Sequence, residues 1–285
     1  MTISGSRLRS RSPRRSFGLV LLPAILLLSV PALAQDVMPL APHRAIYDLS
    51  LGKSTGTSAP TSARGRIAFD FTGSACDGFV TTFRQMTELQ PSEGATRMSD
   101  MRSTTWEEGA GKSFRFKIET LVDGRSTETI DGSAQKAADD EAMSIDLKAP
   151  RPTRRDVEGS PLFPTDQVRK LIAAARDGKT TFQAKVFDGS ATGQKVYDTL
   201  TVIAAPATTP PADEAIRDSA MKDMRRWPVV VSYFEDGKPD GAPNYVLSFD
   251  LYENGVSGKL KLDYGDFVLE GPMTKLDLMP VKECK

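Results

Sequence analysis

Asp-Gly dipeptides recur along this 285-residue chain, and the segments between them alternate apolar and polar residues. Asp-Gly is favoured in two-residue hairpin turns, where both central residues can require a positive φ. Residues 43–51 (HRAIYDLSL) illustrate the alternation, with Ala45, Tyr47, Leu49 and Leu51 on one face. This pattern is typical of a strand with one buried face. The dipeptide occurs at 77–78, 123–124, 131–132, 177–178, 188–189, 236–237 and 240–241, with Asn-Gly at 254–255.

About a dozen segments have strand character, and few long helices separate them. Parallel strands would need a crossover of ten or more residues after nearly every strand, and the sequence does not supply it. We therefore predict a mainly β fold made of antiparallel strands. The predicted strands are 43–51, 66–71, 79–89, 97–106, 114–122, 144–147, 182–187, 197–203, 229–235, 245–252, 260–262 and 267–269.

One helix is predicted at residues 166–176. Residues 164–167 (PTDQ) supply a capping residue and an acidic first turn, and Asp177-Gly178 ends the pattern. Apolar residues recur at helical spacing between these signals, at Val168, Leu171, Ile172 and Ala175. A second and weaker helical stretch is predicted at residues 211–224, after a loop rich in Ala, Pro and Thr.

The first 34 residues have the composition of a cleaved secretory signal peptide. Five arginines precede an apolar run at 17–30, and Ala32-Leu33-Ala34 follows as a small-residue cleavage site. The run contains Pro23 and is shorter than the roughly 20 apolar residues of a spanning helix, so cleavage is favoured over a membrane anchor. Arg14-Arg15 partly resembles a twin-arginine signal, and Sec export is the favoured route. We expect a periplasmic protein without a transmembrane segment in residues 35–285.

Charge argues against a nucleic-acid partner. The whole chain carries 37 basic and 37 acidic residues. Loss of the leader removes five arginines and no acidic residue, which leaves 32 basic residues against 37 acidic ones. Such a protein lacks the basic surface that binding to a phosphate backbone requires.

Cys76 and Cys284 are the only cysteines. In an oxidising compartment, an even pair this far apart is most simply one disulfide, with a metal pair or a redox couple as alternatives. Residues 149–156 (APRPTRRD) divide the chain into two strand-rich parts, each long enough to fold alone. Because a disulfide would join these parts, we expect residues 35–285 to form a single domain.

Catalytic and cofactor motifs are absent after the leader, including GxGxxG, HExxH, GxSxG and the EF-hand loop. His43 is the only imidazole, and its place at the start of the first strand favours a structural or exposed role over a catalytic one. Acidic groups at 139–141 and at Asp263 and Asp266 are typical of a solvated surface, although such carboxylates can also serve a glycosidase or bind calcium. We expect no catalytic residue, no metal site and no cofactor.

Four aromatic residues are candidates for lining an apolar cavity or a concave face. In strands such residues belong more often to the core, so the sequence leaves both placements open. The candidates are Trp106, Phe187, Trp227 and Tyr233.

Several short segments follow the order and spacing of one known family. They are 41–51 (APHRAIYDLSL), 65–71, Cys76-Asp77-Gly78, 159–165 (GSPLFPT), Trp227-Pro228, Ser232-Tyr233-Phe234 and Cys284. Together they resemble the EipB-like cell-envelope integrity family, periplasmic proteins of alphaproteobacteria. The resemblance implies antiparallel strands wrapped into an open, overlapping barrel, called a β-spiral, with a disulfide between Cys76 and Cys284. It also implies a role in maintaining the envelope without established enzymatic chemistry.

The residues and the resemblance together predict a non-enzymatic periplasmic protein that binds a lipid, a peptide or an envelope protein. The ligand would occupy a concave β surface that the helix at 166–176 plugs or flanks. One alternative is a scaffold that acts only through protein partners and has a filled interior. The other is a hydrolase acting on an envelope polymer, which would require a buried Asp/Glu pair lining a cleft.

Overall fold

The structure is a computed structural model that describes residues 39–55, 59–237, 241–282 and 284. The predicted signal peptide, residues 1–34, lies outside the described residues. In the part of the chain that is described, no helix has the length and apolar character needed to cross a bilayer.

The described residues form fifteen strands, two α-helices and a short 3₁₀ turn at Ala191–Gly193. The strands are β1 (His43–Ser54), β2 (Ser62–Ser74), β3 (Gly78–Gln90), β4 (Arg97–Glu107), β5 (Ser113–Val122), β6 (Arg125–Lys136), β7 (Ala142–Ala149), β8 (Thr153–Glu158), β9 (Thr181–Val186), β10 (Tyr197–Ile203), β11 (Arg226–Glu235), β12 (Tyr245–Tyr252), β13 (Ser257–Asp263), β14 (Phe267–Gly271) and β15 (Met273–Leu278). The helices are α1 (Pro164–Arg176) and α2 (Glu214–Arg217).

All fifteen strands belong to one antiparallel sheet. Its order is β8-β7-β6-β5-β4-β3-β2-β1-β14-β13-β12-β11-β10-β9, and β15 also pairs with β1. The edge strands β8 and β9 do not pair with each other, so the sheet is not closed. The prediction of a mainly β, antiparallel, open fold with one or two short helices is confirmed.

Strand β1 joins the two halves of the sheet. It pairs with β2 on one side. On the other side its first residues pair with β15 and its last residues pair with β14. The N-terminal strand therefore lies at the centre of the sheet, between strands from the first and last parts of the described chain.

The predicted alternation of residues determines which face of the sheet is buried. In β1, Ala45, Tyr47 and Leu49 are buried while Arg44 and Ser50 are exposed. Helix α1 packs its apolar stripe into a cluster that contains residues of β2, β3 and β10 to β12. Because this one helix packs against strands from both halves of the sheet, the sheet curves around it.

The N-terminus of α1 is capped from a distant strand. Its local cap position, Phe163, makes no side-chain cap hydrogen bond. Instead, the Glu107 carboxylate at the end of β4 accepts the backbone N–H groups of Thr165 at 2.7 Å and Asp166 at 2.9 Å. The sequence prediction of a local capping residue was wrong, because a partner 58 residues away supplies the acceptor. An anion at this end also suits the helix dipole.

Three strands were missed by the sequence analysis: β6, β8 and β15. The Asp131-Gly132 dipeptide lies inside β6 and is not a turn. A Cβ on Gly132 would lie 2.7 Å from a Leu147 methyl and 2.8 Å from the Phe116 ring, so glycine here makes room for packing. Residues 149–156 are not a linker, since they contain the turn into β8, which pairs with β7.

The second predicted helix is much shorter than its predicted span of 211–224, since α2 covers only Glu214–Arg217. The Ser219 hydroxyl donates to the Ile216 carbonyl and accepts the Met221 N–H, and such local side-chain bonds compete with helix propagation. Before α2, the Asp213 carboxylate accepts the N–H groups of Met273 and Lys259. These bonds fasten the segment to β13 and β15.

Cys76 and Cys284 form a disulfide, with their Cα atoms 5.8 Å apart and 208 positions apart in sequence. Cys76 follows β2 and Cys284 follows β15, so the bond links the same two regions that meet beside β1. The metal-pair and redox-couple alternatives are not needed for this pair. A loop of this length should lower the entropy of the unfolded chain substantially.

Replacing Cys76 with Ser should lower the free energy of unfolding by roughly 2–5 kcal/mol, because the unfolded chain regains the entropy that the cross-link removed. Urea unfolding of the oxidised protein measures the change. Cys284→Ser is the matched variant and should cause the same loss, and the double variant should lose no more than either single one. Unfolding midpoints that neither variant lowers would contradict this account of the bond.

Replacing Glu107 with Ala should lower the free energy of unfolding by about 2–3 kcal/mol, because two backbone N–H groups of α1 lose their acceptor. The neighbouring Glu108→Ala is the control, since the α1 cap bonds are made by Glu107. Chemical denaturation of both variants tests the difference. Equal losses from both would show that the cap contributes nothing specific.

Candidate ligand-binding cavity

A cavity of about 340 Å³ lies between the two halves of the sheet. Such a volume is at the small end of the range of small-molecule sites. One wall comes from β2 to β6, and the other comes from α1, β9, β11 and the loop after β9. The lining residues are Phe69, Thr81, Phe83, Met101, Ser103, Thr105, Ile118, Glu128, Ile130, Pro164, Gln167, Val186, Asp188, Ser190, Ala191 and Tyr233.

The wall from β2 to β6 is largely apolar. Strand pairing sets Phe83 opposite Ser103 and Ser103 opposite Ile118, so these side chains follow one row across β3, β4 and β5. Phe69 and Met101 extend the same wall. This surface suits an aliphatic or aromatic ligand body, because contact there removes apolar area from water.

The opposite wall carries Asp188, Ser190, Gln167 and Tyr233. The carboxylate of Asp188 accepts the backbone N–H of Ser190 at 2.9 Å and also bonds the Ser190 hydroxyl. Burial raises the pKa of Asp188, and the bonds from Ser190 only partly offset this effect. No described Lys, Arg or His forms an ion pair with this carboxylate. The cavity therefore contains an acid whose charge has no partner within the described protein.

Tyrosine rings surround the Asp188 side of the cavity. Tyr233 stacks on Tyr245 with ring centres 4.6 Å apart and meets Tyr197 edge to face at 6.0 Å. The Tyr233 hydroxyl shares hydrogen bonds with Tyr245 and Gln167. Burial raises the pKa of Tyr233 to about 12, and the charge of Asp188 adds to this shift. These phenols are therefore neutral hydrogen-bonding groups at physiological pH.

The structure places the four candidate aromatic residues in three different environments. Tyr233 lines the cavity. Phe187 and Trp227 are fully buried in the packed core, Phe187 among Phe114, Phe116 and Phe163. Trp106 alternates with the cavity residues of β4 and lies under the guanidinium of Arg115, 5.0 Å from its ring centre. Only Tyr233 is placed to touch a ligand in this cavity.

His43 lies outside the cavity lining, and so do the acidic residues at 139–141, Asp263 and Asp266. His43 is buried between the rings of Phe69 and Phe71, and its Nδ1 lies 2.7 Å from the Ala41 carbonyl oxygen. Burial lowers the pKa of His43. Asp140 forms an ion pair with Lys112 at 2.7 Å. Within the described residues, no three His, Cys, Asp or Glu side chains are grouped as metal ligands.

Sequence reasoning missed Asp188, Gln167 and Ser190. Asp188-Gly189 has the composition of a turn, and Gly189 does adopt a positive φ of 76°. Nothing in this local pattern distinguishes an acid that faces a cavity from one that faces solvent. The available signal was the position of Asp188 directly after Val186-Phe187, two buried residues that fix which way the chain enters the loop.

Asp188→Asn should stabilise the empty protein by about 1–2 kcal/mol at pH 7.5, since Asn keeps an acceptor for Ser190 and removes a half-buried charge that desolvation disfavours. Folding raises the pKa of Asp188 above its ordinary value of 3.8. The stability that protonated Asp188 contributes to the wild-type protein is therefore fully present below pH 3.8, and it is lost as the pH rises through the native pKa. The difference between the two proteins should therefore shrink towards pH 4. Denaturant unfolding across this range measures it, with the exposed Glu128→Gln as control; a constant difference would contradict the assignment.

The sequence matches the EipB-like family over residues 34–280. It is 36% identical over 248 residues to a Brucella abortus (strain 2308) protein named cell envelope integrity protein EipB, covering 87% of each chain. The fold matches the crystal structure of a β-barrel-like protein of a domain of unknown function, DUF1849, from Brucella abortus. That match has a TM-score of 0.79 and 34% identity, and it covers 85% of this chain and all of the other. The chain belongs to the EipB-like family.

Proposed function

We propose that this protein maintains the integrity of the cell envelope from the periplasm, without catalysis, by holding a ligand in the cavity between the sheet halves. The observation that carries the proposal is the cavity itself, which an open sheet leaves between a largely apolar wall and a wall that contains Asp188. The name of the Brucella relative supports the envelope role. The ligand is a lipid, a peptide or part of an envelope protein.

Periplasmic residence is supported by independent features of the chain. The leader has an apolar run and a small-residue cleavage site before Gln35. The family match begins at residue 34, next to that site. The Cys76–Cys284 disulfide suits an oxidising compartment. We propose that residues 35–285 form a single domain, because one sheet includes strands from His43 to Leu278.

The absence of catalysis is proposed on the chemistry of the cavity. Two described carboxylates line it: burial raises the pKa of Asp188, whereas the Glu128 side chain is exposed to solvent. A hydrolase acting on an envelope polymer would need a second acid placed against the first. A scaffold with a filled interior is less favoured, because the cavity is open between the walls.

Deletion of the gene in its own host should reduce growth on detergent and on cell-wall antibiotics, because envelope maintenance fails without the protein. Plating on both agents measures the effect. Complementation with the full gene should restore growth, and Cys76→Ser should restore less, because a less stable protein is present in lower amount.

A gene lacking residues 1–34 is the control for location, and it should fail to restore resistance although the protein is made. Wild-type resistance in the deletion strain would remove the envelope assignment. Full rescue by the leaderless gene would instead place the protein in another compartment.

A further inference from the structure

The charged side chains that line the cavity are acidic, and this restricts the class of ligand that the cavity can bind. Among the described residues, its lining contains the carboxylates of Asp188 and Glu128 but no Lys, Arg or His. A fatty acid or a phosphate group placed there would meet no cationic partner and would face a like charge. Anionic ligands are therefore disfavoured by the same walls that offer apolar contact.

Nearby basic side chains are committed to other partners. Lys195 places its Nζ over the ring of Tyr197, 5.3 Å from the ring centre, and makes no ion pair with Asp188. Lys185, on β9 next to the cavity residue Val186, forms ion pairs with Asp198 and Asp236. The Asp188 carboxylate is thus left for a cation that comes from outside the chain.

The groups around Asp188 are those that recognise an ammonium ion. A carboxylate supplies the opposite charge, and tyrosine rings attract a cation through their faces. Ser190 and Gln167 lie on the same wall and offer neutral polar contacts. Across the cavity, Phe83, Met101 and Ile118 present apolar surface to the remainder of such a molecule.

We propose that the cavity binds an amphiphile that carries an ammonium group on an aliphatic body, with Asp188 as the ammonium-binding residue. This inference rests on the proposed function, which requires that the cavity hold a ligand. The ammonium lies at Asp188 beside the ring of Tyr233, and the aliphatic part lies on the wall of β3 to β5. Binding supplies the positive charge that the carboxylate lacks in the empty protein.

Three C8 probes that differ in their head groups test the inference by calorimetry on the disulfide-bonded protein at pH 7.5. Octylammonium should bind about tenfold to a hundredfold more tightly than octanol, because a charge-assisted hydrogen bond replaces a neutral one. Octanoate should bind most weakly. This ranking uses the wild-type protein and needs no variant.

Asp188→Asn should reduce octylammonium affinity to that of octanol and leave octanol binding unchanged. Asp223→Asn is the matched control, because Asp223 is exposed and lies outside the cavity lining, and it should keep the wild-type ranking. Three outcomes would overturn the ammonium assignment and leave the ligand-holding cavity standing. They are equal binding of octylammonium and octanol, tightest binding of octanoate, and no effect of Asp188→Asn. If none of the probes binds, the cavity proposal fails together with it.

Discussion

The pairing of the first strand with the last two is the constraint on which this fold depends. Strands β1 to β8 are neighbours in chain order, as are β9 to β14, and the sheet unites the two runs where β1 meets β14 and β15. Ser50 pairs there with Glu270, so a very long loop must close before the contact forms. The disulfide and the Asp213 bonds to β13 and β15 lie at the same junction. Covalent and polar contacts thus reinforce the pairing with the largest entropic cost.

An open sheet with a helix inside it explains why a cavity persists. Helix α1 connects the two edge strands and packs against strands of both halves. Its N-terminus is held by Glu107 on β4, while its buried stripe contacts β10 to β12. The helix therefore sets the separation of the two walls, and its first turn contributes Pro164 and Gln167 to the lining. Space remains beyond that turn because no further element of the described chain fills it.

Local signals predicted much of the fold, and the failures have tertiary causes. Alternation located twelve strands, since the burial of alternate side chains is a local property. Strand β8 (TRRDVE) has little alternation to detect, because it is an edge strand with mostly exposed residues. Asp131-Gly132 was assigned to a turn, because the packing of Phe116 and Leu147 that requires a glycine at 132 cannot be seen in the local sequence. The cap of α1 and the cavity role of Asp188 depend on distant strands, so no window of sequence contains them.

The contrast between the outer face and the cavity argues that Asp188 has a purpose beyond stability. On the outer face, Asp100 lies between Arg84 and Arg102, which lower its pKa to about 2. No described cation pairs with Asp188, although any neutral acceptor could satisfy the Ser190 N–H. A half-buried charge without a described partner weakens the folded state, so a task at that position explains its presence there. A cavity with a carboxylate, tyrosine rings and an apolar wall is suited to a cation that the protein itself does not provide.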